Sequence, residues 1–272
     1  MILEKQAPIA IFDSGVGGLS VLIEVIKILP YEKIIYLADK KRHPFGTRSK
    51  NEIEKITDEI INFLISKNAK LIVIACNTAS TVKLDDLKAK YNVPIIGMIE
   101  PEVVSQYINK FKGNSVGLIG TSATINSKAY DDIIKKLNTD IKLYSKDCSK
   151  LVPLVETGKI ESDSFKEALN NCLSPLLSDG ITNLIIGCTH FSFIIERIKD
   201  LLGNNVNVFN PPRFVAYYVK EKLSHEGLLN NSREIYEPEY LVTSKRDEFI
   251  NTGHKMTSLD LKNVKLIKLY GF

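Results

Sequence analysis

Short apolar runs alternate with amphipathic stretches along most of this 272-residue chain, and this alternation constrains the fold more than any other feature. The runs are almost continuously apolar, as expected of parallel strands that are covered on both faces. Such strands separated by helical segments predict a doubly wound α/β architecture with mainly parallel sheets. The predicted strands are Ile9–Asp13, Ile34–Asp39, Leu71–Cys76, Pro94–Ile99, Val116–Gly120, Ile141–Tyr144, Leu184–Cys188 and Val206–Phe209.

Two of the helical stretches have features that mark their ends. In Asn51–Lys67 the apolar residues recur at steps of three and four, and Ser49 with Glu52 forms a capping-box signature at its start. A second stretch, Ser164–Leu177, contains Pro175, which is expected to bend or end the helix.

The two halves of the chain echo each other. The run Leu71–Thr78 resembles Leu184–His190, and Ile9–Ser14 resembles Val116–Thr121. In each pair an apolar strand delivers a cysteine or a small polar residue at its carboxyl end. We therefore expect two pseudo-symmetric α/β domains, with a ligand site in the cleft at the carboxyl ends of the strands.

Charge and hydropathy exclude several classes of protein. The formal net charge is only +4, and the basic residues are scattered apart from Lys40-Lys41-Arg42, which we interpret as a solvated loop rather than a nucleic-acid site. The segment Met1–Pro8 lacks the apolar core of a signal peptide, and no apolar run approaches bilayer-spanning length. We expect a cytoplasmic protein that binds neither nucleic acid nor membranes.

The cysteines and histidines show no metal-binding pattern. There is no C-x-x-C pair, and His43, His225 and His254 have no recognisable ligand spacing, so we predict no metal. In a reducing cytoplasm all four cysteines are expected to be free. Cys148 and Cys172 have no assigned chemical role, and Cys172 is expected to pack on a helix face.

Cys76 and Cys188 each end a predicted strand and are followed at once by hydrogen-bonding side chains. Taken alone, a cysteine in such a place is most often a small core residue. Two thiols on opposite sides of one cleft have a further use, because one thiolate removes a proton from an α-carbon while the other thiol returns a proton to the opposite face. That exchange inverts a stereocentre. The pair Cys188 and His190 leaves a thiol hydrolase open as an alternative.

A glycine-rich turn, Asp13-Ser14-Gly15-Val16-Gly17-Gly18, follows the first predicted strand. Open amides where such a turn enters a helix favour anions. A dinucleotide site is the competing interpretation, because Gly15-x-Gly17-x-x-Ser20 approximates G-x-G-x-x-G and Asp39 ends the next strand. Against it, the third glycine is missing and Asp13 would lie close to a pyrophosphate.

Six blocks of residues, taken together, are specific for one family. They are Phe12–Leu19, Pro44–Ser49, Ala75–Ala79, Gly120–Thr124, Val152–Glu156 and Gly187–His190. In these blocks and in their order the sequence closely resembles bacterial glutamate racemases, cofactor-independent enzymes that supply D-glutamate for peptidoglycan. The resemblance implies a homodimer that needs no cofactor. It also implies a first domain of residues 1–97 completed by 210–272, and a second domain of residues 98–209.

The resemblance also assigns roles to single residues. Cys76 would deprotonate D-glutamate and Cys188 would deprotonate L-glutamate, with Asp13 and His190 assisting beside them. Glu156 is a candidate for orienting His190. The residues implied to line the glutamate site are Asp13, Ser14, Phe45, Gly46, Asn77, Thr78, Thr121, Thr189 and His190.

The sequence departs from the family pattern at four places, none of which alters the two thiols. Phe45 stands where tyrosine is usual, and Phe191-Ser192 stands where Tyr-Pro is usual. Asn210 replaces a common aspartate, and Lys245-Arg246 replaces a frequent Gly-Asp. Within the same class, a racemase for another acidic amino acid such as aspartate is the nearest alternative.

Overall fold

Strands and helices alternate along residues 4–137 and 140–269, the part of the chain that the computed structural model describes. The strands there are β1 (Ile9–Asp13), β2 (Ile34–Ala38), β3 (Leu71–Ile74), β4 (Ile95–Gly97), β5 (Ser115–Gly120), β6 (Lys142–Asp147), β7 (Asn183–Gly187), β8 (Asn207–Phe209), β9 (Glu239–Val242) and β10 (Val264–Leu266).

The α-helices of the same part are α1 (Leu19–Ile28), α2 (Lys50–Ser66), α3 (Leu84–Lys90), α4 (Pro101–Ile108), α5 (Ser122–Asn126), α6 (Ala129–Leu137), α7 (Leu151–Glu156), α8 (Asp163–Ser178), α9 (Ile195–Leu202), α10 (Pro211–His225) and α11 (Arg246–Met256). Short 3-10 helices span Phe45–Thr47, Ala79–Thr81 and Thr189–Ile194. None of the helices in these residues is long and apolar enough to cross a membrane.

The strands form two sheets in which every pairing is parallel. The order of the first sheet is β10-β9-β2-β1-β3-β4, and that of the second is β6-β5-β7-β8. The order β2-β1-β3-β4 thus recurs as β6-β5-β7-β8, which confirms the predicted pseudo-symmetric α/β architecture. In both sheets the order reverses beside the first strand, at the kind of point where open α/β sheets bind ligands.

Both faces of the first sheet are buried, which explains why its strands are continuously apolar. Along β1, Ile9 and Ile11 join the core under α1 and α10, whereas Ala10 and Phe12 join the core under α2. Fully burying a large apolar side chain of this kind contributes roughly 1.5–3 kcal/mol. A strand with one wet face would place polar residues at every second position instead.

The predicted helix ends agree with the structure. Ser49 caps α2 in a complete capping box with Glu52, since the Ser49 hydroxyl accepts from Glu52 N at 3.3 Å and the Glu52 carboxylate accepts from Ser49 N at 3.0 Å. Such a cap stabilises a helix by about 1 kcal/mol. Pro175 lies inside the last turn of α8, which ends at Ser178.

The C-terminal part of the chain contributes elements that the sequence did not predict. Strand β9 pairs with β2 at the edge of the first sheet, and β10 pairs with β9. The predicted boundaries, residues 1–97 with 210–272 and residues 98–209, stay a prediction. Residues 1–3 and 270–272 of that first domain lie outside the described range.

The expectation of four free cysteines is wrong for one pair. Cys148 and Cys172 form a disulfide, whereas Cys76 and Cys188 are free. Cys148 follows β6 and Cys172 lies on α8, and their Cα atoms are 5.6 Å apart, within bridging distance. The 24-residue separation between the two carries no sequence signature of a bridge. Cys172 does pack in the core on its helix face, as predicted.

Candidate active site

A cavity of about 370 Å³ opens where loops from the carboxyl ends of both sheets meet. Most of the predicted site residues line it. They are Ser14, Phe45, Gly46, Cys76, Asn77, Thr78, Thr121, Glu156, Cys188, Thr189 and His190. Asp13 does not reach the wall, because it is fully buried behind Ser14. The structure also brings His43, Lys245 and Glu248 to this cavity.

The first thiol lies just beyond β3, where the chain turns into a 3-10 helix. Backbone amides of Ala79 and Thr78 point at the Cys76 sulfur, which favours the thiolate. Burial and the nearby charge of Asp13 outweigh these bonds, so the pKa of Cys76 lies well above its ordinary value. At neutral pH Cys76 is therefore a thiol, ready to give a proton rather than take one.

Asn77 and Thr78 connect this thiol loop to the second sheet. Asn77 Nδ2 donates to the Tyr130 hydroxyl at 2.9 Å, and the hydroxyls of Thr78 and Thr121 are 2.8 Å apart. Within the described part of the chain, the buried side-chain oxygen of Asn77, Oδ1, has no hydrogen-bond partner. A buried acceptor without a partner is costly, and Asn77 itself is one of the residues that line the cavity.

Asp13 is held in place from several sides. Its carboxylate accepts from Gly15 N at 2.8 Å and from the Thr189 hydroxyl at 2.9 Å, and Ser14 Oγ lies 3.4 Å away. Burial raises the pKa of Asp13 to about 6, although the positive charge of His190 and these hydrogen bonds oppose the shift. This carboxyl group therefore exchanges a proton close to neutral pH.

The second thiol has an imidazole beside it. Cys188 Sγ lies 3.9 Å from His190 Nδ1, and His190 Nε2 donates to Glu156 at 2.7 Å. Burial opposes a charge on His190, but hydrogen bonds with Cys188 and Glu156 outweigh it and raise the His190 pKa well above its ordinary value. Burial likewise opposes the charge of Glu156, yet the bond from His190 and nearby cations lower its pKa to about 2.

Lys40 is buried beside the cavity, so its predicted place in a solvated loop is wrong. It is only 4% exposed, and its ammonium group contacts Glu156 Oε1. The same ammonium lies 2.8 Å from Glu248 Oε1 on α11. Its partners lie 116 and 208 residues away in sequence, so only the tertiary structure could reveal the contact. Its position two residues after β2 is the one signal that placed it near the site.

His43, Glu156 and His190 form a cluster that the spacing of the histidines did not indicate. Ring nitrogens of both histidines and a Glu156 oxygen lie within 4.8 Å of one another, a set that could hold a metal ion. The ammonium group of Lys40 occupies the same carboxylate and repels a further cation there. We interpret the cluster as a hydrogen-bonding group.

The glycine-rich turn makes room for these side chains rather than for a cofactor. A Cβ on Gly15 would lie 2.6 Å from Glu156 Oε2, and one on Gly17 would lie 2.5 Å from His190 Nδ1. The amide of Val16 donates to Glu156 at 3.1 Å, so this amide is occupied by the protein itself. Asp39, the candidate ribose ligand, instead accepts from Thr243 at 2.7 Å. The turn does not fit a dinucleotide pyrophosphate.

Comparisons with known proteins agree with this geometry. The family model of Asp/Glu/Hydantoin racemases matches residues 23–216, so the chain belongs to that family. A glutamate racemase of Listeria monocytogenes is 37% identical over 265 residues, which make up 97% of this chain and 99% of that protein.

Two solved structures share the fold over almost the full length. The glutamate racemase isoform RacE1 from Bacillus anthracis superposes with a TM-score of 0.89 at 31% identity, covering 98% of this chain and 99% of that one. The glutamate racemase from Francisella tularensis in complex with D-glutamate gives 0.89 at 32% identity, covering 98% and 100%. The predicted resemblance to glutamate racemases is confirmed.

Proposed function

We propose that this chain interconverts L- and D-glutamate without a cofactor, by moving the α-proton between Cys76 and Cys188. The observation that carries the proposal is the equivalent placement of the two free thiols. One follows β3 and the other follows β7, the matching strands of the two sheets, and both line one cavity. Full-length similarity to glutamate racemases supports glutamate as the substrate.

In the L-to-D direction, the Cys188 thiolate removes the α-proton and the Cys76 thiol delivers a proton to the opposite face. The reverse reaction exchanges the two roles. The protonated His190 beside Cys188 favours the thiolate there, whereas Asp13 supplies or receives a proton near Cys76. Because the two thiols approach from different sides, the substrate need not turn over between the steps.

The cavity also has groups suited to an amino acid. The unpartnered Asn77 oxygen fits a substrate ammonium group, which is a hydrogen-bond donor. The Thr121 hydroxyl lines the same wall and fits a carboxylate oxygen, whereas the hydroxyls of Ser14 and Thr189 donate to Asp13. Phe45 closes one side with an apolar ring, and Gly46 passes so close to Thr121 that a side chain there would collide with it.

A single experiment tests the proposal. Purified protein is incubated with L-glutamate in deuterated water without added cofactor, and circular dichroism is followed together with deuterium incorporation at the α-carbon. We expect the dichroic signal to decay to zero with exchange at that carbon, and L-aspartate to show little change. An unchanged signal with L-glutamate would refute the proposal. Faster decay with L-aspartate would identify aspartate, rather than glutamate, as the substrate.

The wider setting is part of the same proposal. We place the enzyme in the cytoplasm as a homodimer that supplies D-glutamate for peptidoglycan. Sedimentation analysis of the full chain tests the dimer. Rescue of a bacterial strain that requires D-glutamate tests the role in the cell wall.

A further inference from the structure

The imidazole of His43 lies on the cavity wall between the groups that flank the two thiols. Its Nδ1 is 3.2 Å from Ser14 Oγ, and its ring centroid is 5.7 Å from that of His190. One of its ring nitrogens lies within 4.8 Å of a Glu156 oxygen. No step of the proposed reaction uses this residue.

The directions of the hydrogen bonds fix the tautomer of His43. Ser14 has a single hydroxyl proton and donates it to Asp13 Oδ1. Ser14 Oγ then accepts from His43, so the ring carries its proton on Nδ1 and leaves Nε2 as an acceptor. Burial lowers the pKa of His43 to about 4, which keeps the ring neutral. A neutral imidazole accepts a proton at one nitrogen and releases one from the other.

Polar groups continue from His43 to the second thiol. Glu156 accepts from His190 Nε2 at 2.7 Å, and His190 Nδ1 lies 3.9 Å from Cys188 Sγ. The gap between His43 and Glu156 is at most 4.8 Å, a distance that one water molecule can bridge. In the other direction the series ends at Asp13, whose charge acts on Cys76.

A racemase with two bases must reset its two thiols between turnovers. Each L-to-D turnover leaves a proton on Cys188 and removes one from Cys76, so the free enzyme must return a proton before it can accept L-glutamate again. We propose that His43 relays this returning proton between the two thiols. The inference rests on the proposed function, because only a reaction with two bases leaves the free enzyme in two protonation states.

The relay moves one proton from Cys188 to Cys76 and leaves the charge of every group between them unchanged. After an L-to-D turnover Cys188 is a thiol and no longer stabilises a positive charge on His190, so the ring is neutral with its proton on Nε2. The Cys188 thiol gives its proton to His190 Nδ1 while His190 Nε2 releases one to Glu156. Glu156 passes a proton to His43 Nε2, and His43 Nδ1 releases one to Ser14. Ser14 donates to Asp13, which protonates the Cys76 thiolate. No other atom is transferred. Each imidazole ends with its proton on its other nitrogen, so proton exchange with water in the cavity restores the starting tautomers before the next L-to-D turnover. The sequence reverses for the D-to-L direction.

Two substitutions separate a relay from a structural role. His43→Phe keeps a ring of similar size and removes both nitrogens. His43→Asn keeps an N–H that can donate to Ser14 but has no second nitrogen facing Glu156. His225→Phe, at the exposed end of α10, is the matched control. Thermal unfolding checks that each variant is folded. If the His43→Phe protein does not fold, the His43→Asn variant alone tests the relay.

The measurement is the approach to equilibrium from both enantiomers at rising total glutamate, up to concentrations far above KM. When proton return limits turnover, extra substrate traps both enzyme forms and slows the approach to equilibrium. We expect both His43 variants to lower kcat about tenfold or more, while kcat/KM falls less than about threefold. The slowing should begin at about tenfold lower glutamate than in the wild type and in the control.

Three results would overturn the relay. A parallel loss of kcat and kcat/KM would place His43 in the chemical step rather than in the return of the proton. Recovery of kcat by the Asn variant would reduce its role to the hydrogen bond with Ser14. An unchanged onset of slowing would mean that the proton returns by another route. A wild-type protein that does not racemise glutamate would remove the proposed function itself, and this shows before any variant is compared.

Discussion

Cys76 and Cys188 occupy matching positions in the two sheets, but their surroundings differ. Cys76 lies beside Asp13, a buried carboxyl group whose pKa is raised to about 6. Cys188 lies 3.9 Å from His190, whose pKa is raised because Glu156 and Cys188 stabilise the imidazolium. The strands repeat, whereas the loops that follow them have diverged.

The difference gives the two thiols different resting states. A carboxyl group beside Cys76 disfavours a second negative charge there, so Cys76 holds its proton. Cys188 instead has the imidazole of His190 at 3.9 Å. The free enzyme at neutral pH should therefore hold Cys76 as a proton donor, although both thiols serve the same reaction.

Replacing either thiol tests whether the two sides share one task. Cys76→Ser and Cys188→Ser should each lower racemisation in both directions by about a thousandfold or more, because a serine hydroxyl is a far weaker acid than a thiol. The remaining thiol should still exchange one enantiomer, so Cys76→Ser should incorporate solvent deuterium into L-glutamate only. Cys188→Ser should do so with D-glutamate only, as measured by mass spectrometry. Wild-type racemisation by either variant would contradict two-base catalysis.

The surroundings of Cys188 include a buried cation, Lys40. Its ammonium group lies between the carboxylates of Glu156 and Glu248. Lys40→Met should lower the free energy of unfolding by about 3–5 kcal/mol, because it removes one of the two cations that hold the buried carboxylate of Glu156, the other being His190. The matched control is Lys245→Met. Lys245 pairs with the same Glu248 at 3.5 Å but its side chain is 63% exposed, so a change within about 0.5 kcal/mol is expected. Equal effects in urea unfolding would show that the buried pair has no special role.

Much of the fold could be predicted because strands buried on both faces are written as apolar runs. Each of the eight predicted runs overlaps a strand of the structure. Strands β9 and β10 were missed because charged residues interrupt them: β9 begins at Glu239 and β10 has Lys265 at its centre, so neither reads as an apolar run. The disulfide was missed because it depends on how α8 packs near the end of β6.

The site could be predicted only where a residue follows a strand in a recognisable motif. The sequence indicated both thiols and Glu156, but it did not indicate that Lys40 and His43 belong with them. Their contacts with Glu156 join segments more than a hundred residues apart. Similarly, Ser192 and Asn210 depart separately from the family pattern, and the structure shows that they hydrogen-bond each other at 2.7 Å.

Asp13, beside Cys76, should make the stability of the protein depend on pH. Its pKa rises from 3.8 to about 6 on folding, so the folded protein binds this proton more tightly than the unfolded chain. The resulting stabilisation is complete below about pH 4 and is lost as the pH rises through about 6. At pH 7 the ionised carboxylate therefore costs about 3 kcal/mol.

Asp13→Asn should recover up to about 3 kcal/mol of unfolding free energy at pH 7, and the gain should vanish below about pH 4. Racemisation should fall at the same time, because the amide cannot exchange a proton with Cys76. Urea unfolding across this pH range gives the measurement. A gain that is independent of pH would mean that Asp13 is not the group that titrates.

The smallest expected effect concerns the resting thiols themselves. A thiolate reacts with an alkylating reagent and a thiol does not, and burial raises the pKa of Cys76, so Cys76 should react with iodoacetamide about tenfold more slowly than Cys188 at pH 7 without substrate. Both sulfurs line the same cavity and both residues are 6% exposed, so unequal access is not the reason. Peptide mapping of the labelled protein after short exposures measures the ratio. In His190→Asn the preference should shrink, because the imidazole 3.9 Å from the Cys188 sulfur is lost. Equal labelling of the two cysteines in the wild type would show that the asymmetry around them does not reach the sulfurs.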